Sequence, residues 1–132
     1  MTPQEVRKIW ADALRSGNYK QAYGKLCRIY DNIKHYCCLG VLTDIALKEG
    51  VISEFYEGDT DNGKVLSRKV QEWAGLCARN GQYGGVSINC LSSLNDGGHT
   101  FEYIADVIEN PPDRLFCDPP ATSVESTISE GA

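Results

Sequence analysis

The sequence predicts an α+β fold that is mostly helical, a single compact domain of about five helices with a few short strands. Apolar residues recur at helical spacing in several separate stretches, each bounded by a capping residue or by Gly and Pro. Turn dipeptides, Asp31-Asn32, Asn62-Gly63, Asn80-Gly81 and Gly84-Gly85, punctuate the segments between them. At 132 residues, 42% hydrophobic and 23% charged, the chain has the composition of one globular core rather than of a disordered or coiled-coil protein. The globular part is expected to span residues 1–117, followed by a Pro/Ser/Thr/Glu-rich tail, 118–132, with a disordered composition.

The first helix has the strongest local signals. Thr2 is placed to cap it, Pro3 suits its first position, and Glu5 completes a Thr-x-x-Glu capping box. Val6, Ile9, Trp10, Ala13 and Leu14 then form one apolar stripe, and Gly17 stops the helix. Residues 18–30 have mixed periodicity, consistent with a strand or an ordered loop, and Asp31-Asn32 turns the chain. A second helix is expected from about Tyr36 to Glu49, with a short buried strand over Tyr36–Leu42 as the alternative. Gly40 inside that helix costs about 1 kcal/mol relative to Ala, which points to close approach of another backbone or of a ligand.

The polar segment 54–64 reads as a loop with a hairpin signal at Asn62-Gly63; alignment with a calcium loop fails, because Gly58 and Lys69 fall at ligand positions. A third helix is expected from about Ser67 to Cys77, and a short strand near Val86–Ile88. Leu91 and Leu94 fit a short helix closing at Gly97-Gly98. Thr100 caps a last helix bearing Phe101, Ile104, Ala105 and Ile108, which Pro111-Pro112 ends.

The formal net charge of −5 conceals a gradient. Met1–Gly40 carries seven Lys/Arg against three carboxylates, a balance of +4; Val41–Cys90 stands at −2; and Leu91–Ala132 has Arg114 alone against eight carboxylates, a balance of −7. An acidic chain is a poor general binder of long nucleic acids. The same charges argue against reading the Thr100 segment as part of a helix-turn-helix, since Asp96, Glu102, Asp106 and Glu109 would repel phosphates. No stretch approaches the roughly 20 apolar residues of a membrane span, and no secretory pattern opens the chain. A cytoplasmic protein with reduced thiols is therefore expected. The six cysteines include no Cys-x-x-Cys pair, so neither a metal nor another cofactor is predicted.

Two constellations bear on chemistry. Cys37 and Cys38 follow His35 near a predicted helix N-terminus, where a thiolate is favoured; with His99 as base and Asn95 or Asp96 as orienter they would form a cysteine hydrolase, although nothing in the spacing brings them together. The basic, tyrosine-rich start has a more general capability. Arg15, Lys20, Lys25 and Arg28 suit phosphates, Tyr19, Tyr23 and Tyr36 suit stacking on a base, and Gln21 suits a base or ribose edge. The competing reading is a solvated charged face with tyrosines partly in the core.

The order Trp10-x-x-Ala13-Leu14-Arg15-Ser16-Gly17-x-Tyr19-x-Gln21, then Tyr36-Cys37-Cys38-Leu39-Gly40-Val41-Leu42, then Leu94-Asn95-Asp96-x-Gly98-x-x-Phe101-x-x-Ile104-Ala105, resembles a family of small proteins of unknown function common in bacteriophage and prophage genomes. That resemblance implies a phage accessory protein in the cytoplasm of an infected bacterium. The corresponding expectation is a non-catalytic anti-defence protein that sequesters a nucleotide immune messenger, of the cyclic nucleotide or cyclic ADP-ribose class, as a homo-oligomer with its site at a subunit boundary. Its ligand residues would be Arg15, Tyr19, Lys20, Gln21, Tyr23, Lys25 and Tyr36, with Asn95, Asp96 and His99 reading hydroxyls or base edges. The alternatives are a protein inhibitor that binds a host enzyme through the acidic C-terminal third, and the cysteine hydrolase.

Overall fold

The computed structural model describes residues 1–86 and 88–117; the expected tail, 118–132, lies outside them. Helix α1 (Pro3–Arg15) begins on the full capping box, with the Thr2 side chain accepting from the Glu5 N–H and the Glu5 carboxylate accepting from the Thr2 N–H. Its inner face is Val6, Trp10, Ala11 and Leu14, while Ile9 is exposed. The stripe is thus turned from the predicted one toward Ala11, because Trp10 is fixed at its centre by an indole N–H donated to the Cys38 carbonyl at 2.9 Å.

Three strands follow: β1 (Lys20–Gln21), β2 (Cys27–Tyr30) and β3 (Ile33–Tyr36), arranged β1-β3-β2. β3 runs parallel to β1 and antiparallel to β2. Asp31 and Asn32, with φ of 50° and 62°, make the two-residue turn that matches the twist of a hairpin. Residues 18–30 therefore supply two strands, and Tyr36 belongs to a third rather than to a helix.

Helix α2 (Cys38–Lys48) starts two residues later than expected, capped by the Cys37 sulfur, which accepts from the Gly40 N–H at 3.4 Å. All residues from Cys38 to Ala46 are buried, the polar Thr43 and Asp44 among them, so this is the central helix, and the strand alternative over Tyr36–Leu42 fails beyond Tyr36. At Gly40 a Cβ would stand 1.8 Å from the Leu26 carbonyl oxygen; the predicted close approach is that of a backbone.

Helix α3 (Arg68–Ala74), capped by Ser67, ends earlier than predicted because Gly75 turns left-handed with φ of 76°. The chain beyond it is extended and pairs Leu76 with Phe116. Asn62-Gly63 is a turn without flanking strands; instead the Gly63 carbonyl accepts from the Leu26 N–H at 2.7 Å. The expected strand near Val86–Ile88 is absent from the described residues. Val86 and Ile88 are exposed, and a single bridge joins Gln82 to Cys90. Helices α4 (Leu91–Asp96) and α5 (Phe101–Glu109) appear where expected, α5 capped by Thr100 and packed along α1.

One expectation about the thiols is corrected. Cys77 and Cys117 form a disulfide with Cα atoms 5.0 Å apart, while Cys27, Cys37, Cys38 and Cys90 are free. The pairing was hidden because 40 residues separate the two in sequence, and only the antiparallel return of Phe116 beside Leu76 brings them together. Among the described residues, no helix is long and apolar enough to cross a membrane.

Candidate ligand-binding face

The structure sorts the ten expected ligand residues into a clamp centred on buried Asn95, two polar clusters paired within the chain and an open face. Gln21, Asn95, Asp96 and His99 do come together, although 74 residues separate the first two. The Gln21 amide donates to Asn95 Oδ1 at 2.9 Å and to the His99 carbonyl at 2.8 Å. Asn95, fully buried, also accepts from the Cys38 N–H at 3.1 Å and donates to the Ala22 carbonyl at 2.8 Å. Asp96 accepts from the Gly24 N–H at 2.9 Å, and the His99 ring stacks on Tyr103 with centroids 4.4 Å apart. These groups tie the β1 segment, the start of α2 and the end of α4 together; Asn95 is a structural brace and not a reader of ligand hydroxyls.

Arg15 is likewise removed from a phosphate site. Packing of α5 along α1 sets its guanidinium against Asp106 and, at 2.7 Å, against Glu109. With Asp96 also engaged, three of the five described carboxylates in the acidic C-terminal third are committed internally, which weakens that surface as a docking site for another protein. Tyr19 donates to Asp44 at 2.6 Å, and Lys48 pairs with the same carboxylate at 2.9 Å. Tyr36 meets Tyr19 edge-on at 5.2 Å, and burial, with Asp44 nearby, pushes its phenol up to about 12.

Lys20, Tyr23 and Lys25 remain exposed, and strand register shows what surrounds Lys20. Residues opposite one another in neighbouring strands point to the same side of a sheet. Lys20 pairs with His35, and His35 with Arg28, so one face carries Lys20, His35 and Arg28 in a row across all three strands. Tyr30, on the same face, stands edge-on to His35 with centroids 5.0 Å apart. Arg28 Nε donates to the Tyr23 carbonyl at 2.7 Å, anchoring the β1–β2 loop and fixing the guanidinium beside it. The nearby carbonyl of Ile33, 3.0 Å from His35 Nδ1, can only accept, so in the neutral ring the proton sits on Nδ1. Among the described residues Lys20, Lys25 and Lys34 form no ion pair. His35 and Tyr30 had not been expected at the site. Their signal was the Asp31-Asn32 turn with alternating residues on both sides, legible only once Ile33–Tyr36 is taken as a strand.

The cysteine hydrolase is not supported. Burial raises the Cys37 thiol to about 11, and burial likewise pushes the Cys38 thiol well above its ordinary value. Both therefore stay protonated at neutral pH, while the His99 ring lies stacked on Tyr103. Among the described residues no group of three His, Cys, Asp or Glu side chains is placed to hold a metal ion.

A second polar cleft, lined in part by Glu57, Asp59, Lys69 and Arg79, is closed on itself. Glu57 accepts from the Ser53 N–H and hydroxyl, each at 2.7 Å, and from Lys69 at 2.9 Å. These bonds, the Ser53 N–H foremost, hold its pKa at about 2 against an ordinary 4.5. Because the folded value lies below the unfolded one, the stabilisation is complete above 4.5 and is lost as pH falls toward 2. A carbon-13 titration of the side-chain carboxyl is expected to show this depression, reduced in Lys69→Met; a midpoint near 4.5 in the unaltered protein would refute the arrangement.

The fold and this face define a small α+β domain with an open, cationic and aromatic sheet surface. Residues 2–112 match the model of a domain of unknown function (DUF8296), and the chain belongs to that family. No curated protein and no solved structure matches the chain.

Proposed function

We propose that this protein is a non-catalytic binding protein that sequesters a small phosphorylated nucleotide, of the cyclic nucleotide or cyclic ADP-ribose class, on the outer face of its three-stranded sheet. The observation that carries the reading is the row Lys20, His35 and Arg28 beside Tyr30. Two cations and an imidazole suit a phosphate, and an exposed phenol ring suits a base. Tyr23 and Lys25 in the adjoining loop extend the same chemistry. Sequestration needs affinity and no reacting group. The phage-family resemblance supplies the setting, an anti-defence protein in the cytoplasm of an infected bacterium. Exposed Ile33, opposite Tyr30 on the same face as the row, favours self-association, which would enclose an otherwise open site between two copies of a homo-oligomer.

The test is to incubate the purified protein with candidate cyclic nucleotides and cyclic ADP-ribose isomers, filter it free of unbound ligand, denature it and chromatograph what is released. Intact nucleotide is expected, with at least tenfold weaker retention in Lys20→Ala/Arg28→Ala, since charge-assisted hydrogen bonds contribute about 1.5–3 kcal/mol each. Release of altered nucleotide, or retention of none, would overturn the proposal.

A further inference from the structure

Cys77 and Cys117 line a surface cavity of about 280 Å³ together with Ala78, Gln82, Gly85 and Arg114. The position of Arg114 is set by the backbone on both sides of it. The Asp113 carbonyl accepts from the Gly84 N–H at 2.7 Å, Leu115 is fully buried, and Arg114 between them takes φ of 67°. Gly85 leaves the room: a Cβ there would lie 2.6 Å from Arg114 Nη1. A cation beside an accessible disulfide attracts an anionic thiol and stabilises the thiolates that exchange produces.

We propose that the Cys77–Cys117 disulfide is a site of thiol–disulfide exchange with a small anionic thiol held beside Arg114, and that its reduction loosens the segment Asp113–Cys117. Cys117 is the exposed partner and Cys77 the half-buried one, so attack falls on the Cys117 sulfur. The incoming thiolate forms a mixed disulfide there, the Cys77–Cys117 bond breaks, and Cys77 leaves as a thiolate that takes a proton from water. A second thiolate then attacks the small-molecule sulfur, releasing the Cys117 thiolate and the oxidised small disulfide. Two thiols lose two electrons and the protein disulfide gains them. The segment stays docked through Leu115 and through bonds from the Cys77 N–H to Leu115 and from the Cys117 N–H to Gly75, at 3.0 and 2.8 Å, so reduction loosens it without unfolding the core. Phe116 in this segment lies under the Arg7 guanidinium at 4.0 Å and, with Pro111, walls the groove between α1 and α5, which places that groove under the control of the disulfide.

The full-length protein is equilibrated under native conditions in buffers spanning reduced to oxidised glutathione, quenched in acid, alkylated and mapped by mass spectrometry. Cys77 and Cys117 are expected to become alkylated together as the ratio turns reducing, with at least tenfold faster amide exchange over Asp113–Cys117. A pair that stays oxidised in fully reduced glutathione, that is already alkylated in oxidised glutathione, or that is reduced without a change in exchange would overturn the proposal. The role of Arg114 is read from the rate of reduction by anionic glutathione relative to cationic cysteamine, a ratio that is insensitive to a modest loss of stability. Arg114→Gln is expected to lower that ratio at least fivefold; an unchanged ratio would overturn the anionic-thiol assignment.

Discussion

Gly40→Ala is expected to destabilise the protein by about 4 kcal/mol or more, the range reserved for severe core overpacking. The new methyl group would be placed 1.8 Å from the Leu26 carbonyl oxygen and 2.8 Å from its carbon, both backbone atoms that cannot swing aside. Relief requires α2 and the start of β2 to separate. That movement would stretch the bond from the Cys37 N–H to the Leu26 carbonyl, 3.2 Å long, at the helix cap itself. Helix propensity alone would favour Ala over Gly by about 1 kcal/mol, so the sign of the result decides between the two effects. Gly17→Ala is the control. A Cβ at Gly17 would meet nothing within 4 Å, and only its φ of 79° opposes the change, for which about 1 kcal/mol is expected. Urea denaturation of the three proteins measures both. A Gly40→Ala protein as stable as the parent would mean that α2 does not press on Leu26 as described.

That close contact was foreshadowed in the sequence, because a glycine inside a helical pattern is a local anomaly. The caps at Thr2 and Thr100 were legible for the same reason: each satisfies backbone groups within three residues. The start of α2 was not, since its cap is a cysteine and its burial on every side removes the periodicity that marks a boundary. Strand β3 has four residues and is paired with β1 through a parallel contact that no local pattern encodes. At the site, the partners that engage several of the expected residues are distant in sequence. Arg15 and Asp106 lie 91 positions apart, and nothing in either segment announces that they neutralise each other. Of the ten expected ligand residues, Gln21, Asn95, Asp96 and His99 lie together, but polar residues converging on one place satisfy each other as readily as they bind a ligand. Composition cannot tell these outcomes apart; the buried fraction of Asn95 does.

Asn95 is accordingly the second position where a small change is expected to have a large effect. Its amide accepts from Gln21 and from the Cys38 N–H and donates to the Ala22 carbonyl, with no exposure to water that would replace these partners. Asn95→Ala leaves the Cys38 N–H and the Ala22 carbonyl unpaired inside the protein, at about 1–3 kcal/mol for each stranded group, so a loss of about 3 kcal/mol or more is expected. Asn95→Asp separates shape from donor chemistry. An aspartate keeps both acceptor functions but, when ionised, faces the Ala22 carbonyl and Asp96 with a second negative charge and no proton to donate. Burial and these neighbours would raise its pKa above the ordinary Asp value in the folded state. The folded variant then holds a proton that its unfolded chain releases. Measured against the parent at each pH, its deficit should be small in acid, grow as pH rises through the unfolded value of about 4, and level off above the folded one. A pH-independent deficit for Asn95→Asp would show that the lost donor, and not the buried charge, dominates. No deficit in Asn95→Ala would show that the clamp between β1, α2 and α4 contributes nothing to stability, and Asn95 would return to the set of candidate ligand groups.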